Sequence, residues 1–86
     1  MRKIHNVLAA LYSCPEDVRR ICYMAEINID GIKINTDDME YIWYMVCNSS
    51  LRQSKYRVLL ETVRDEYPLH PDIRIAVEWR GSQHFI

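Results

Sequence analysis

Residues 36–46 read TDDMEYIWYMV, and this stretch carries the strongest fold signal in the chain. Thr36 is a residue type that favours helix N-caps. Asp37, Asp38 and Glu40 then place negative charge in the first turn, where the helix dipole favours it. Such a triplet of carboxylates also suits acid–base work or cation binding, but we interpret it as the start of a long helix.

This third helix is predicted to be apolar on nearly all sides. One stripe, at the spacing of successive helical turns, consists of Met39, Ile42, Trp43 and Val46. The opposite side carries Tyr41, Tyr44 and Met45. A helix of this kind is either central in its domain or half-covered by a partner.

Two amphipathic helices are predicted before it, over about residues 3–12 and 14–25. The stripe of the first consists of Ile4, Val7, Leu8 and Leu11, and that of the second of Val18, Ile21, Cys22 and Ala25. Ser13-Cys14-Pro15-Glu16 matches a capping box with proline in the first turn, so it predicts the start of the second helix.

Residues 26–35 show a different pattern. Four isoleucines, at positions 27, 29, 32 and 34, alternate with polar residues around Gly31, which is a strand signal. The chain offers no convincing second strand, and an isolated strand leaves its backbone polar groups unsatisfied. We therefore predict a loop, with at most one helical turn, whose isoleucines reach into the core.

The second half of the chain predicts two more helices. Asn48-Ser49-Ser50 is typical of a turn, and Ser50 to Gln53 matches a second capping box. The helix that follows extends to about Tyr67, where Pro68 stops it. A short last helix begins at Pro71, buries Ile73, Ala76 and Val77, and is closed by Gly81.

Together these elements predict an all-α fold, a compact antiparallel bundle of five to six short helices. With 86 residues the chain is long enough for one core, so we expect a single domain over 1–86, with its core at about 3–80. The chain has no apolar run of membrane-spanning length, and its start lacks the pattern of a signal peptide. We expect a cytoplasmic protein with no membrane partner.

The composition offers little for catalysis. Cys14, Cys22 and Cys47 lack metal-binding or redox spacing and are interpreted as reduced thiols in or near the core. His5, His70 and His84 are scattered singly, and no glycine-rich phosphate loop is present. We expect no enzyme activity, metal or cofactor. The alternative is a cysteine-dependent enzyme in which folding brings a histidine to Cys47.

What remains is a surface of opposite charges and outward aromatic side chains, which suits protein docking. The predicted interface residues are Arg19, Arg20, Tyr23, Asp37, Asp38, Glu40, Tyr41, Tyr44, Arg52 and Lys55; Met45 and Trp79 are further candidates for anchors. With eleven basic against twelve acidic side chains, nucleic acid is not expected to bind. The alternative is a small helical DNA-binding regulator that uses Arg19, Arg20, Arg52, Lys55 and Arg57.

The order of these elements also resembles a known family. The matching stretches are residues 7–12, 18–22, 27–32, 39–46 and 59–68, followed by Pro71. In this order the chain resembles the bacterial effector-associated domain of the first type, over roughly residues 5 to 75. The most characteristic of these elements is a helix that ends in Tyr67-Pro68 before a short polar link.

The resemblance implies a death-domain-like helical adaptor without catalytic residues. Such a domain recruits effectors, for example proteases or nucleotide-dependent signalling ATPases, through contacts between related domains in bacterial conflict or antiphage systems. The implied partners are related domains on effector proteins, and self-association is possible.

Overall fold

A computed structural model describes residues 3–34 and 37–78 of the chain. These residues form five helices, with no strand among them. The helices are α1 (Ile4–Leu11), α2 (Pro15–Met24), α3 (Met39–Arg52), α4 (Tyr56–Glu66) and α5 (Pro71–Glu78). The predicted all-α bundle is confirmed.

The helices pack around a shared core. α1 lies against α3 and α5, and α4 contacts α2, α3 and α5. α2 and α4 run antiparallel, as two contacts show. Arg20 of α2 pairs with Glu66 at the end of α4, and Glu26, just after α2, lies 3.9 Å from Lys55, just before α4. The large side chains with the least exposure include Trp43, Tyr12, Ile4 and Leu8. The predicted stripes are therefore buried against one another, with Leu11 and Met39 only partly covered.

The predicted capping box at Ser13 does not form. Cys14 is the N-cap of α2, no side chain caps this end, and Pro15 occupies the first turn as predicted. The end of α2 is closed by Glu26, a non-glycine residue with φ 59°, together with a hydrogen bond of 2.9 Å from the Ile27 N–H to the Cys22 carbonyl. This 6→1 bond is that of a Schellman motif.

Residues 26–34 form a loop, as predicted. Ile27 and Ile34 are buried, whereas Ile29 and Ile32 are partly buried against the core. The Gln53 side chain holds the loop by two hydrogen bonds of 2.8 Å, accepting from the Asn28 N–H and donating to the Asn28 carbonyl. Gln53 thus satisfies backbone groups that a second strand would otherwise pair.

The turn predicted at Asn48-Ser49-Ser50 is wrong, because α3 continues through these residues to Arg52. Ser49 and Ser50 are buried inside the helix. The Ser50 hydroxyl donates to the Cys47 carbonyl at 2.7 Å, which satisfies the hydroxyl without ending the helix. The capping box predicted from Ser50 is therefore absent, and α3 ends instead before Ser54, in the left-handed region at φ 58°.

Of the last two helices, α4 ends close to its predicted end and α5 begins at its predicted start. α4 begins at Tyr56, later than predicted, and its buried residues are Leu59, Leu60 and Val63. α5 begins at Pro71 and buries Ile73, Ala76 and Val77, as predicted. The N-cap predicted at Thr36 is wrong, because the N-cap of α3 is Asp38 and the helix begins at Met39. The stop predicted at Gly81 and the anchor predicted at Trp79 lie outside the described residues.

Candidate docking surfaces

The first candidate surface lies on α3, beside α1. We call it the α1–α3 face and define it by Asp37, Glu40, Tyr41 and Tyr44. Tyr41 and Tyr44 are 48% and 42% exposed, although they flank the buried Ile42 and Trp43. The sequence predicted Tyr41, Tyr44 and Met45 opposite the buried stripe of α3. The two tyrosines are exposed as predicted, whereas Met45 is only partly exposed.

The start of α3 gives this face its charge. Asp38 is the N-cap, and its carboxylate accepts a hydrogen bond of 3.1 Å from the Tyr41 N–H. Asp37 and Glu40 are exposed and form no ion pair with another residue of 3–34 or 37–78. Asp37 and Glu40 therefore give one edge of the molecule a local negative charge that no cation in the described part of the chain pairs with.

An open groove of about 480 Å³ runs along this edge, between α1 and the start of α3. Its lining consists of Asn6, Ala9, Ala10, Ser13, Asp37, Asp38, Met39 and Glu40. The α1 wall is built from small and uncharged side chains, whereas the α3 wall carries the three carboxylates. A groove of this composition suits a cationic side chain better than an anionic or purely apolar one.

His5 borders the same face. Its ring meets the Tyr44 ring edge to face, with centroids 5.3 Å apart and an interplanar angle of 79°. Burial and the nearby Lys3 lower the pKa of His5, while Glu40 acts in the opposite direction. A neutral imidazole at physiological pH leaves the negative charge of Asp37 and Glu40 uncompensated.

The second feature is a closed cluster that we call the α2–α4 seam, formed by Tyr12, Asp17, Arg20 and Glu66. Glu66 accepts a hydrogen bond of 2.7 Å from the Tyr12 hydroxyl and two more from the Arg20 guanidinium. Arg20 also lies 3.5 Å from Asp17 and 5.9 Å from the centroid of the Tyr12 ring. The seam thus joins the end of α1 to α2 and α4.

The electrostatics of the seam follow from these contacts. Hydrogen bonds from Arg20 and then from Tyr12 lower the pKa of Glu66. Burial and then the hydrogen bond to Glu66 raise the pKa of Tyr12. Arg20 was predicted to be an interface residue, but its guanidinium is held by carboxylates of its own chain, so its first role is structural.

Arg19 and Tyr23 stand one helical turn apart on the outer side of α2, and we call them the α2 face. Tyr23 is 86% exposed. Arg19 is also exposed, and within the described ranges its guanidinium has no ion-pair partner. An unpaired cation beside an outward tyrosine matches the residue types that anchor protein interfaces.

The remaining predicted interface residues are less available. Arg52 donates to the Ser49 hydroxyl at 3.0 Å, and Lys55 lies 3.9 Å from Glu26. Arg57, one of the residues considered for DNA binding, lies 3.5 Å from Glu61. Three of the five residues considered for DNA binding, Arg20, Lys55 and Arg57, therefore lie beside carboxylates, which weakens their attraction for a phosphate backbone.

Two of the three thiols are buried as predicted. Burial raises the pKa of Cys22 to about 12, and burial together with the nearby Cys22 raises the pKa of Cys47 to about 12. At neutral pH these thiols are protonated and unreactive. Cys14 is the exception: it is exposed, because it caps the start of α2 and does not share the buried stripe of that helix.

Neither a metal site nor a membrane span is found among the described residues. No group of three or more histidine, cysteine or acidic side chains in that part of the chain is arranged to hold a metal ion. None of the described helices is both long and apolar enough to cross a membrane.

Sequence reasoning missed the seam altogether. Tyr12 and Glu66 are 54 positions apart, and Arg20 and Glu66 are 46 apart, so no local pattern links them. A tyrosine at the predicted end of the first helix was the only available signal. The groove was missed for the same reason, since its two walls come from distant parts of the chain.

Comparisons with known proteins place the chain in a family. Its residues 1–80 match the model of effector-associated domain 1, a non-catalytic module associated with effector proteins. Searches of curated proteins and of solved structures found no match. Since the family match covers nearly the whole chain, this protein belongs to the effector-associated domain 1 family.

Proposed function

We propose that this domain is a protein–protein interaction adaptor with a death-like helical fold. It recruits or assembles effectors, such as proteases or signalling ATPases, by binding related domains on those proteins. Its setting is a bacterial conflict or antiphage system, within the cytoplasm. Family membership supports the association with effectors, and the α1–α3 face carries the binding role.

The single observation that carries the proposal is the outward side of α3. Tyr41 and Tyr44 expose large aromatic surface next to Asp37 and Glu40, whose charges the described part of the chain leaves unpaired. Exposed tyrosines add contact area at low entropic cost, and charges at the rim steer a complementary partner. Tyr44 also meets the His5 ring, but both tyrosines leave much of their surface exposed, and that surface is available to a partner.

The direct test is titration calorimetry with purified effector-associated domains from protease- or ATPase-containing proteins encoded beside this gene. We expect saturable binding to at least one of them, weakened by salt because charges contribute. Tyr41→Ser should weaken that binding at least about tenfold, the effect of losing a modest hot spot. Absence of binding to every related domain tested would contradict the proposal.

Leu69→Ser is the matched control, because Leu69 is 84% exposed and lies between α4 and α5, outside the α1–α3 face. It removes a large outward apolar side chain as Tyr41→Ser does, yet it should leave the affinity unchanged. Equal losses in both variants would place the binding surface elsewhere.

The DNA-binding alternative has its own test. Mobility shifts on random duplex DNA at increasing salt would reveal a regulator by binding that falls steeply as salt rises. Because Arg20, Lys55 and Arg57 lie beside carboxylates of their own chain, we expect no such binding.

A further inference from the structure

The α1–α3 face and the α2 face are complementary to each other. One is acidic and aromatic, with Glu40 and Tyr44 one turn apart on α3. The other is cationic and aromatic, with Arg19 and Tyr23 one turn apart on α2. Both pairs are exposed, and neither Glu40 nor Arg19 has an ion-pair partner among the described residues.

From this complementarity we propose that two copies of this chain associate with the α2 face of one on the α1–α3 face of the other. Arg19 of one copy enters the groove beside Glu40 and Asp37 of the next, and Tyr23 packs on Tyr44. The inference rests on the proposed function, because it names a partner domain and the two surfaces that meet.

The geometry of each face supports this occupant. Arg19 and Tyr23 project from consecutive turns of one helix, and Glu40 and Tyr44 do the same on theirs, so both contacts form along one helix–helix crossing. The groove of about 480 Å³ offers room for a long side chain beside the carboxylates. Its α1 wall includes Ala9 and Ala10, whose small side chains let a second helix approach closely.

The seam explains why Arg19, and not its neighbour Arg20, is assigned to the contact. Arg20 is held by Glu66 and Asp17 of its own chain, so drawing it into an interface would first break those contacts. Arg19 has no such contacts to break. The two adjacent arginines of α2 therefore serve two different purposes, one internal and one between copies.

The test is sedimentation equilibrium of the purified chain over a range of concentrations and salt. Wild-type protein should associate, and more strongly at low salt. Arg19→Glu and Glu40→Arg should each weaken association at least about tenfold. The double variant, with both changes in one chain, should recover most of the lost affinity because the two charges are exchanged.

Arg74→Glu is the matched control: Arg74 is an exposed cation on α5 without an ion-pair partner in the described ranges, so its reversal should leave association unchanged. Circular-dichroism melts check that every variant is folded. A monomer at all concentrations, single variants without effect, or a double variant without recovery would each overturn the inference. A chain that stays monomeric but still binds a related effector domain would overturn this inference alone and leave the proposed function standing.

Discussion

Glu66 at the α2–α4 seam and Glu40 at the α1–α3 face are both carboxylates beside tyrosines, but their surroundings differ. Glu66 accepts hydrogen bonds from Tyr12 and Arg20 of its own chain. Glu40 is exposed and has no ion-pair partner within the described residues. The first carboxylate is used to hold helices together, and the second is left for an outside partner.

The difference shows how a small domain separates stability from binding. The seam lies over the core, since the Tyr12 ring is buried and its centroid is 5.7 Å from that of Trp43. The hydroxyl of a buried tyrosine needs a partner, because leaving it unpaired would cost desolvation energy, and the exposed pair of Glu66 and Arg20 supplies that partner at the surface. The α1–α3 face is solvated, so its charges can remain unpaired until a partner binds, with little loss of stability.

The largest expected effect comes from breaking the interior side of α3. Trp43 is fully buried and its indole N–H donates to the Tyr12 carbonyl at 3.0 Å. Trp43→Ala should lower the free energy of unfolding by about 3–5 kcal/mol, because it opens a large cavity and leaves that carbonyl without its donor. Urea denaturation measures the loss.

Tyr41→Ala, on the outward side of the same helix, is the matched control. Tyr41 is half-exposed, and its replacement should change stability by no more than about 0.5 kcal/mol. If the two substitutions were equally harmful, the division of α3 into a structural and a docking side would be wrong.

Most of the fold was predictable because helical stripes are local. Residues such as Val18, Ile21 and Cys22 repeat at the spacing of one helix face, and the structure buries all three. The boundary between α3 and α4 was not predictable in this way. Ser49 and Ser50 favour turns by local preference, but packing buries them and their hydroxyls find partners within the helix.

Some features of the candidate surfaces were also predictable from the local sequence, and others were not. The outward position of Tyr41 and Tyr44 followed from an excess of apolar residues around α3, which is a local property. The difference between Arg19 and Arg20 did not follow from a local property. Arg20 is paired because Glu66 lies beside it, and the position of Glu66 depends on how α4 packs on α2. Sequence reasoning therefore identified which residue types face outward, but not which of them are already engaged.

The second prediction compares the two neighbouring arginines. Arg20→Glu places a third carboxylate beside Asp17 and Glu66, so it should lower the urea midpoint of unfolding clearly. Arg19→Glu makes the same change of charge one residue away. Because Arg19 has no ion-pair partner among the described residues, this variant should leave the urea midpoint nearly unchanged. Parallel denaturation curves of the two variants measure this, and equal midpoints would show that the seam does not stabilise the fold.

The smallest effect on stability is expected from lowering the pH, which tests the α2–α4 seam without a substitution. Hydrogen bonds from Arg20 and Tyr12 lower the pKa of Glu66 in the folded state below the ordinary value of 4.5. A group of this kind stabilises the fold at pH values above its unfolded pKa, and the contribution disappears as the pH falls through the folded pKa. The wild-type chain should therefore lose stability as the pH is lowered below about 4.5.

Glu66→Gln removes the titrating group and keeps an oxygen that accepts from Tyr12. The stability of this variant should be lower than that of the wild type at neutral pH, and the gap should narrow as the pH falls below about 4.5, because a protonated carboxyl and a glutamine amide are both uncharged. Arg20→Ala should also reduce the loss of stability in acid, because the hydrogen bond from the Arg20 guanidinium is the main cause of the lowered pKa of Glu66. Urea midpoints of the three proteins across this pH range measure the effect. If the stability difference between the wild type and Glu66→Gln stayed constant with pH, the charge of Glu66 would contribute nothing to the fold. Glu66 would then not differ from Glu40 in the way proposed, because its carboxylate would not hold the helices together.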